Sequence, residues 1–202
     1  MSMARPQQAV PVTHEKSDRM YSRTSEPVKF ERDCQAVMVP SGDVVSLPAG
    51  SVGYITQALG GSFTVYVEGN LFRIAGTDAD AIGKTPLPLP VLSESASDAD
   101  VEALVWDQLR TCFDPEIPVN VVELGLVYEC NLLRLDDGNR RAEIKMTLTA
   151  PGCGMGETLV SDVRSKVELV PTISEADVEL VFDPPWNQNM MSEAAKLETG
   201  ML

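Results

Sequence analysis

The amino-acid sequence predicts a mixed α/β protein, with a small N-terminal all-β, barrel-like module followed by a compact two-layer α/β sandwich. Two observations support this prediction. Residues 37–75 consist of short apolar runs broken by glycine- and proline-containing turns, which is typical of small antiparallel sheets. Residues 98–202 instead alternate between helical and strand periodicity in the order α-β-β-α-β-α, which favours a two-layer sandwich.

A Pro/Ser-rich stretch between the modules sets the domain boundaries. We predict a flexible tail over residues 1–27, the β module over 28–83, a linker over 84–97 and the α/β domain over 98–202. Alternating prolines in the linker favour extended polyproline geometry. Two interpretations of the linker remain open: a spacer between the modules, which we favour, or a strap packed across one of them.

The first 27 residues are polar, contain three prolines and lack an apolar run, so they do not suggest a secretory signal. No stretch approaches the roughly 20 consecutive apolar residues that a membrane span needs. We therefore expect a cytoplasmic protein that does not interact with membranes.

The β module is expected to contain five strands between Val37 and Ala75. Gly60-Gly61 between two apolar runs is a strong signal for a two-residue hairpin turn. A small barrel or rolled sheet would protect the edges of such short strands.

The α/β domain is expected to open with a helix, because Ser97 and Asp100 form a capping pair before an apolar stripe. A final short helix is closed by Gly200. The elements in between are predicted from their periodicity as a strand over 124–132, a strand over 143–149, a helix from about 156 and a strand over 178–182.

Charge and residue inventory exclude several classes of function. The net charge is −14, and residues 98–202 carry 20 acidic against 8 basic side chains, so nucleic acid is not an expected partner. The single histidine, His14, lies in the tail, which leaves serine-type and Cys–His catalytic arrangements without a general base. None of the four cysteines is in a CxxC pair, so the sequence does not favour a structural zinc site.

The most informative motif runs from Thr147 to Gly156 (TLTAPGCGMG), where a strand ends and Cys153 precedes a helix. The unpaired amides and positive dipole end of a helix start stabilise a thiolate. We therefore expect the pKa of Cys153 to lie below its free value of roughly 8.5. The competing interpretation is a buried structural cysteine at a tight turn.

The other cysteines carry weaker signals. Cys112 and Cys130 lie on apolar faces and are expected in the core. Cys34 follows charged Arg32 and Asp33, so it is either an exposed, oxidisable thiol or incidental.

Two further motifs lie on either side of the Cys153 motif in the sequence. Residues 114–128 (DPEIPVNVVELGLVY) place Asp114, Glu116 and Glu123 where their oxygens could ligate iron or bind a basic partner. In the alternative interpretation, Asp114 caps a turn and Glu123 lies on a solvated strand edge. Residues 182–193 (FDPPWNQNMMSE) present Trp186, Met190 and Met191, which suit a partner contact or a small core.

Taken together, these motifs resemble the small domain shared by SufT, the PaaD protein of phenylacetate oxidation and eukaryotic cytosolic Fe–S targeting factors. The matching residues are Asp114–Pro118, Glu123–Tyr128, Thr147–Cys153 and Asp183–Trp186. SufT adds an N-terminal module, which residues 32–34, 55–62 and 69–76 resemble.

The resemblance implies a non-enzymatic accessory factor in iron–sulfur cluster assembly or transfer, with Cys153 as the reactive thiol and candidate Fe–S ligand. The residues expected to support Cys153 are Asp114, Glu116, Glu123, Thr147 and Thr149. Trp186, Met190 and Met191 are candidate partner contacts, and the implied partners are Fe–S carrier, scaffold or recipient proteins.

Two alternatives remain: a carrier that itself binds iron or a labile cluster, and a thiol-dependent enzyme with Cys153 as its nucleophile. Cluster ligation normally needs four ligands, so one thiolate per chain cannot hold a cluster alone. We therefore expect no firmly bound cofactor. Transient iron or an Fe–S cluster could be shared by a homodimer.

Overall fold

The computed structural model describes residues 25–93, 95–114, 117–150 and 155–200. The N-terminal module is a six-stranded antiparallel sheet in the order β1-β4-β5-β6-β2-β3. Its strands are β1 (Glu26–Lys29), β2 (Cys34–Val39), β3 (Val44–Leu47), β4 (Val52–Leu59), β5 (Ser62–Val67) and β6 (Asn70–Ile74). Strands β2 to β6 correspond to the five that the sequence predicts.

Strand β1 corrects the boundary of the predicted tail, since Glu26 and Pro27 pair with Ile55 and Tyr54 of β4. The rest of the predicted tail, up to residue 24, lies outside the described residues. A proline within a four-residue strand hides its strand pattern, yet proline is compatible with an edge strand because that strand has one side unpaired.

The described sheet does not close into the predicted barrel. β1 and β3 end the strand order and each pairs on one side only. One face of the sheet surrounds a small core that includes Phe30, Val65 and Ile74. A 3-10 helix over Gly76–Ile82 contributes Ala81 and Ile82 to the same core.

The second module is a three-stranded sheet with helices over one face, so the mixed α/β class is confirmed. Its strand order is β7-β8-β9, with β8 antiparallel to β7 and parallel to β9. In chain order, its elements are α1 (Asp98–Leu109), β7 (Val127–Arg134), β8 (Arg140–Met146), α2 (Gly156–Val167), β9 (Ile173–Leu180) and α3 (Glu193–Thr199).

Local signals place the start of α1 and both ends of α3 where the sequence predicts them, whereas α1 ends at Leu109, before the Asp114-Pro115 pair expected to end it. Ser97 and Asp100 form a capping box at the start of α1. Ser192 caps α3, and Gly200 ends it in the left-handed conformation at φ 71°. Ile144 and Met146 of β8 are buried against Val163 of α2, at the centre of the larger core.

The predicted limits of all three strands differ from the structure, and β8 spans Arg140–Met146 where the sequence predicted 143–149. β7 begins at Val127, because Gly125 with φ 68° turns the chain just before it. Leu124 and Leu126 are still fully buried, but in that turn. β9 ends at Leu180, and Phe182 lies beyond it with 48% of its surface exposed.

The linker packs onto both modules through single side chains. Leu87 lies so close to Gly61 that a Cβ there would collide with its Cδ1, and its N–H donates to the carbonyl of Gly76 at 3.1 Å. Leu92 packs against the core of the second module. The strap interpretation therefore describes these two contacts, although Leu87 is still 43% exposed and Leu89 and Val91 are exposed as well.

A buried ion network joins the two modules. Arg73 of β6 pairs with Asp162 of α2 at 2.5 Å, and Lys166, one turn further along α2, lies 3.4 Å from the same carboxylate. Lys166 also donates to the carbonyls of Gly60 at 3.2 Å and Thr111 at 2.5 Å. Because all three charges are mostly buried, they depend on one another for compensation.

None of the helices in the described ranges combines the length and the apolar character needed to cross a membrane.

We predict that Asp162→Ala lowers the free energy of unfolding by about 3 kcal/mol, because it leaves Arg73 and Lys166 buried beside no carboxylate. Urea unfolding followed by circular dichroism measures this. Asp107→Ala removes an exposed partner of Arg110 and should change the value by less than about 0.5 kcal/mol. Equal losses in the two variants would contradict a buried network.

Candidate functional site

The three motifs singled out in the sequence meet at one end of the C-terminal sheet. Met146, the last residue of β8, pairs with Val127 at the start of β7 and with Leu180 at the end of β9. Two hydrogen bonds extend these pairings: Thr147 N donates to Leu126 O, and Val181 N donates to Met146 O, both at 2.8 Å. The loops that follow or precede these residues therefore lie side by side.

Asp114 and Asn120 fold the first of these loops. Asp114 is 5% exposed, and its Oδ1 accepts a hydrogen bond from Ile117 N at 2.9 Å. Asn120 Oδ1 accepts from the N–H groups of Val122 at 3.1 Å and Glu123 at 2.9 Å. These contacts agree with the turn-capping interpretation of the motif. Glu116, the third candidate oxygen ligand, lies outside the described residues.

Glu123 is half-buried and lies in a turn, not on the strand edge that the sequence suggested. Its carbonyl accepts a hydrogen bond from Ser192 N at 2.8 Å, where Ser192 caps α3. Glu123 therefore joins the first loop to the C-terminal helix through its backbone.

The central motif continues from β8 through a buried Thr147 and a half-buried Thr149. Pro151–Gly154, with Cys153, lie outside the described residues. The chain then enters α2 at Gly156, whose preceding residue Met155 makes no side-chain capping hydrogen bond. A Cβ at position 156 would meet Leu148 Cδ1 at 2.8 Å, so a larger residue there would have to displace the end of this leucine side chain.

The third motif anchors its own segment to the first loop. Trp186 Nε1 donates to the carbonyl of Leu124 at 2.8 Å, and Tyr128 OH donates to the carbonyl of Pro184 at 2.8 Å. Met190 lies with its carbonyl against Gly125, where a Cβ would collide with it.

Because of this anchoring, the three candidate partner contacts are partly or fully buried. Met191 is 3% exposed and belongs to the core, so it is not available to a partner. Trp186 is half-buried against the same core, and Met190 is also half-buried. The sequence motif is therefore structural in large part, as the small-core interpretation proposed.

Three of the four cysteines are accounted for by packing. Cys112 is fully buried, and burial raises its pKa far above the ordinary range. Burial also raises the pKa of Cys34, helped by the negative charge of Asp78. Cys130 is partly buried on β7, where loss of hydration raises its pKa to about 11. Cys34 is 1% exposed, so the interpretation of an exposed, oxidisable thiol is incorrect.

The described ranges contain no group of three or more His, Cys, Asp or Glu side chains arranged to hold a metal ion. Buried thiols with raised pKa values are neutral at pH 7 and are poor metal ligands.

A cavity of about 350 Å³ lies between the two modules, and it was not predicted from the sequence. Met155, Thr158 and Leu159 of the α2 start line one side, together with Phe113 and Asp114. The opposite side is lined by the β module, through Val39, Thr56, Gln57, Leu59, Ser62, Thr64, Leu71 and Arg73. The hydroxyl residues Thr56, Ser62 and Thr64 on β4 and β5 were the only sequence signal for this cavity. The periodicity of a strand does not show which distant segment lies opposite such residues.

Comparison with known proteins places the α/β domain in a family. The model of a family described as iron–sulfur cluster assembly proteins matches residues 102–180. A Porphyromonas gingivalis protein named Fe-S protein maturation auxiliary factor is 46% identical over 94 residues, which are 46% of this chain and 86% of that protein. The chain belongs to the iron–sulfur cluster assembly protein family.

Two further proteins are similar over about half of this chain. The Fe-S protein maturation auxiliary factor SufT of Staphylococcus aureus is 38% identical over 88 residues, covering 44% of this chain and 96% of that protein. The crystal structure of a domain of unknown function from Bacillus anthracis is 36% identical, with a TM-score of 0.45, and the match covers 52% of this chain and 95% of that one.

The family match leaves the β module unassigned. Less than half of this chain accounts for 96% of the Staphylococcus aureus SufT, so that relative has no room for a second module of this size. The expected resemblance of residues 32–76 to a SufT N-terminal module is thus not reflected in this family member. The cavity between the modules is accordingly a feature that an isolated α/β domain would lack.

We predict that iodoacetamide alkylates Cys153 of the folded protein first at pH 7.5. The other three thiols should react at least about tenfold more slowly, because their raised pKa values keep them protonated. Raising the pH towards 11 should bring in Cys130 next. Mass spectrometry of tryptic peptides measures the order, with urea-unfolded protein as the control for equal intrinsic reactivity. Alkylation of Cys34 ahead of Cys153 would contradict the prediction.

Proposed function

We propose that this protein is a non-enzymatic accessory factor that assists the assembly of iron–sulfur clusters or their transfer to recipient proteins, and that Cys153 is its reactive thiol. Membership of the family supports the role in iron–sulfur cluster assembly, and the names of the relatives refer to Fe–S protein maturation. The observation that carries the second part is that packing accounts for Cys34, Cys112 and Cys130. Cys153 is the remaining thiol.

The start of α2 supports a reactive role at this position. The helix begins three residues after Cys153, and its N-cap residue Met155 makes no side-chain capping hydrogen bond, so this side chain leaves the first amides to another partner such as an anion. Glu157 in the first turn opposes this effect, but it is exposed, and water screens its charge. The proposed consequence is a thiolate at neutral pH, able to contact iron or a cluster held by another protein.

The neighbouring carboxylates have a supporting part in this proposal. Asp114 and Glu123 shape the loop beside the α2 start, the first through its side chain and the second through its backbone. Thr147 and Thr149 lead from β8 into the Cys153 segment. We propose that these residues position the segment, and that Glu116, two residues after Asp114 in the sequence, is a further oxygen donor.

The cluster or iron is cargo in this proposal, not a firmly held cofactor. One thiolate supplies a quarter of the usual ligand set, so the remaining ligands come from a carrier, a recipient or a second copy of this chain. Such sharing makes release easier than a complete ligand set would.

We predict that the wild-type chain accelerates activation of a purified apo-[4Fe–4S] hydratase by a cluster-loaded carrier. Cys153→Ala should lose most of this acceleration, because the shared ligand is removed. Cys130→Ala is the matched control and should retain it. The measurement is the rate of appearance of hydratase activity under anaerobic conditions.

Circular dichroism must first show that both variants are folded. Equal acceleration by wild type and Cys153→Ala would refute the role of Cys153. A visible absorption band that stays with the wild type through gel filtration after reconstitution with iron and sulfide, and is absent from Cys153→Ala, would instead identify a carrier.

A further inference from the structure

We propose that a groove at one end of the C-terminal sheet is the docking site for a protein segment that places an apolar side chain between two basic ones. The groove encloses about 770 Å³ and lies beside the loops of the candidate site. As a site for a partner protein, it rests on the proposed function.

The groove lies on the face of the sheet that the helices leave open. Ile144 and Met146 of β8 are buried in the core, whereas Lys145 between them points to the other face and is exposed. Lys145 aligns with Glu129 of β7 and Glu179 of β9, which are exposed as well. All three side chains line the groove, so its charged part belongs to the open face.

The apolar part of the groove comes from the loops at the end of the sheet. Val127 begins β7, Val181 and Pro184 follow β9, and Met190 lies against the turn before β7. Phe182, next to Val181 in the sequence, has 48% of its surface exposed. Aromatic and methionine side chains are enriched in protein interfaces, so this lining suits an apolar side chain of another protein.

The charged lining is mainly acidic. Glu129, Glu179 and Asp183 contribute three carboxylates against the one amine of Lys145. Lys145 bonds to Glu129 at 2.9 Å, and this hydrogen bond raises the pKa of the amine, with a further contribution from the charge of Glu179. Neither Glu179 nor Asp183 forms an ion pair with a described residue. These two carboxylates are therefore available to basic side chains of a partner.

The next row of the open face favours the same partner. Glu143 of β8 aligns with Asp177 of β9, and within the described ranges neither has a cation at ion-pair distance. Like charges directly opposite each other on neighbouring strands destabilise a sheet. Basic side chains docked here would remove this repulsion. A second copy of the chain would add to it, because each copy carries the same acidic face and a net charge of −14.

Amide chemical shifts of the isotope-labelled full chain, titrated with the peptide acetyl-Gly-Lys-Leu-Lys-Gly-amide, test the proposal. We expect a Kd on the order of 1 mM, with the largest shifts at Val127, Glu179 and Val181. A peptide with Glu in place of both Lys, and one with Ser in place of Leu, should each bind at least about fivefold more weakly. The first lacks the complementary charge, and the second lacks the apolar side chain.

The double variant Glu179→Gln/Asp183→Asn should weaken binding of the basic peptide about fivefold, because it removes both unpaired carboxylates. Asp136→Asn/Glu174→Gln is the matched control, and it should leave the Kd unchanged. It alters the net charge by the same amount at the opposite end of the sheet. All four positions are exposed, so both double variants should fold.

Equal weakening by the two double variants, no preference for the Lys peptide over the Glu peptide, or shifts confined to residues outside the groove would overturn the proposal. Dimerisation in sedimentation velocity that Glu179→Gln/Asp183→Asn abolishes would overturn it in favour of a second copy.

The same titration with Cys153→Ala should give the wild-type Kd, which separates this proposal from the proposed function. If Cys153→Ala binds the peptide normally and still accelerates activation of the hydratase as the wild type does, the role of Cys153 is refuted and the groove assignment stands.

Discussion

The pairing at the end of β8 is the constraint on which the candidate site depends. β8 is the central strand, and Met146 aligns with the first residue of β7 and the last residue of β9. The hydrogen bonds from Thr147 to Leu126 and from Val181 to Met146 use backbone atoms only. Three segments that are distant in sequence are therefore brought together whatever their side chains are. Side-chain hydrogen bonds then tie these segments to one another, as Trp186 does by donating to the carbonyl of Leu124.

A second constraint, the buried charge of Asp162, positions the modules relative to each other. A carboxylate that is 8% exposed is stable only when cations compensate it, and it has one from each module: Arg73 from β6 and Lys166 from its own helix. Lys166 in turn bonds to the carbonyls of Gly60 and Thr111, one on each side of the junction. The same contacts hold the β module close to the α2 start without filling the space between them. The cavity is thus a consequence of where the charges lie.

Local signals were predictable from the sequence, whereas contacts between distant segments were not. The Ser97–Asp100 capping box and the Gly200 helix end depend on a few adjacent residues, so their positions were correct. Strand β1 was missed because Pro27 masks its pattern and its partner is about 27 residues away. Asp162 and Lys166 form an acid–lysine pair four residues apart, a spacing typical of a solvent-exposed helix surface. In the fold, Arg73 and the carbonyl of Gly60 from the β module contact this pair, and such contacts between distant segments cannot be read from the spacing.

The distribution of thiols argues that any cluster this chain handles is bound only in part by the chain itself. Burial raises the pKa of Cys34, Cys112 and Cys130, and a buried neutral thiol would have to lose both its proton and its packing to become a ligand. The first two also lie in separate cores, one in each module. They could not converge on one metal without unfolding both. Under the proposed function, a protein with this arrangement would contact a cluster that another molecule also holds, and Cys153 would be the one thiolate that it contributes.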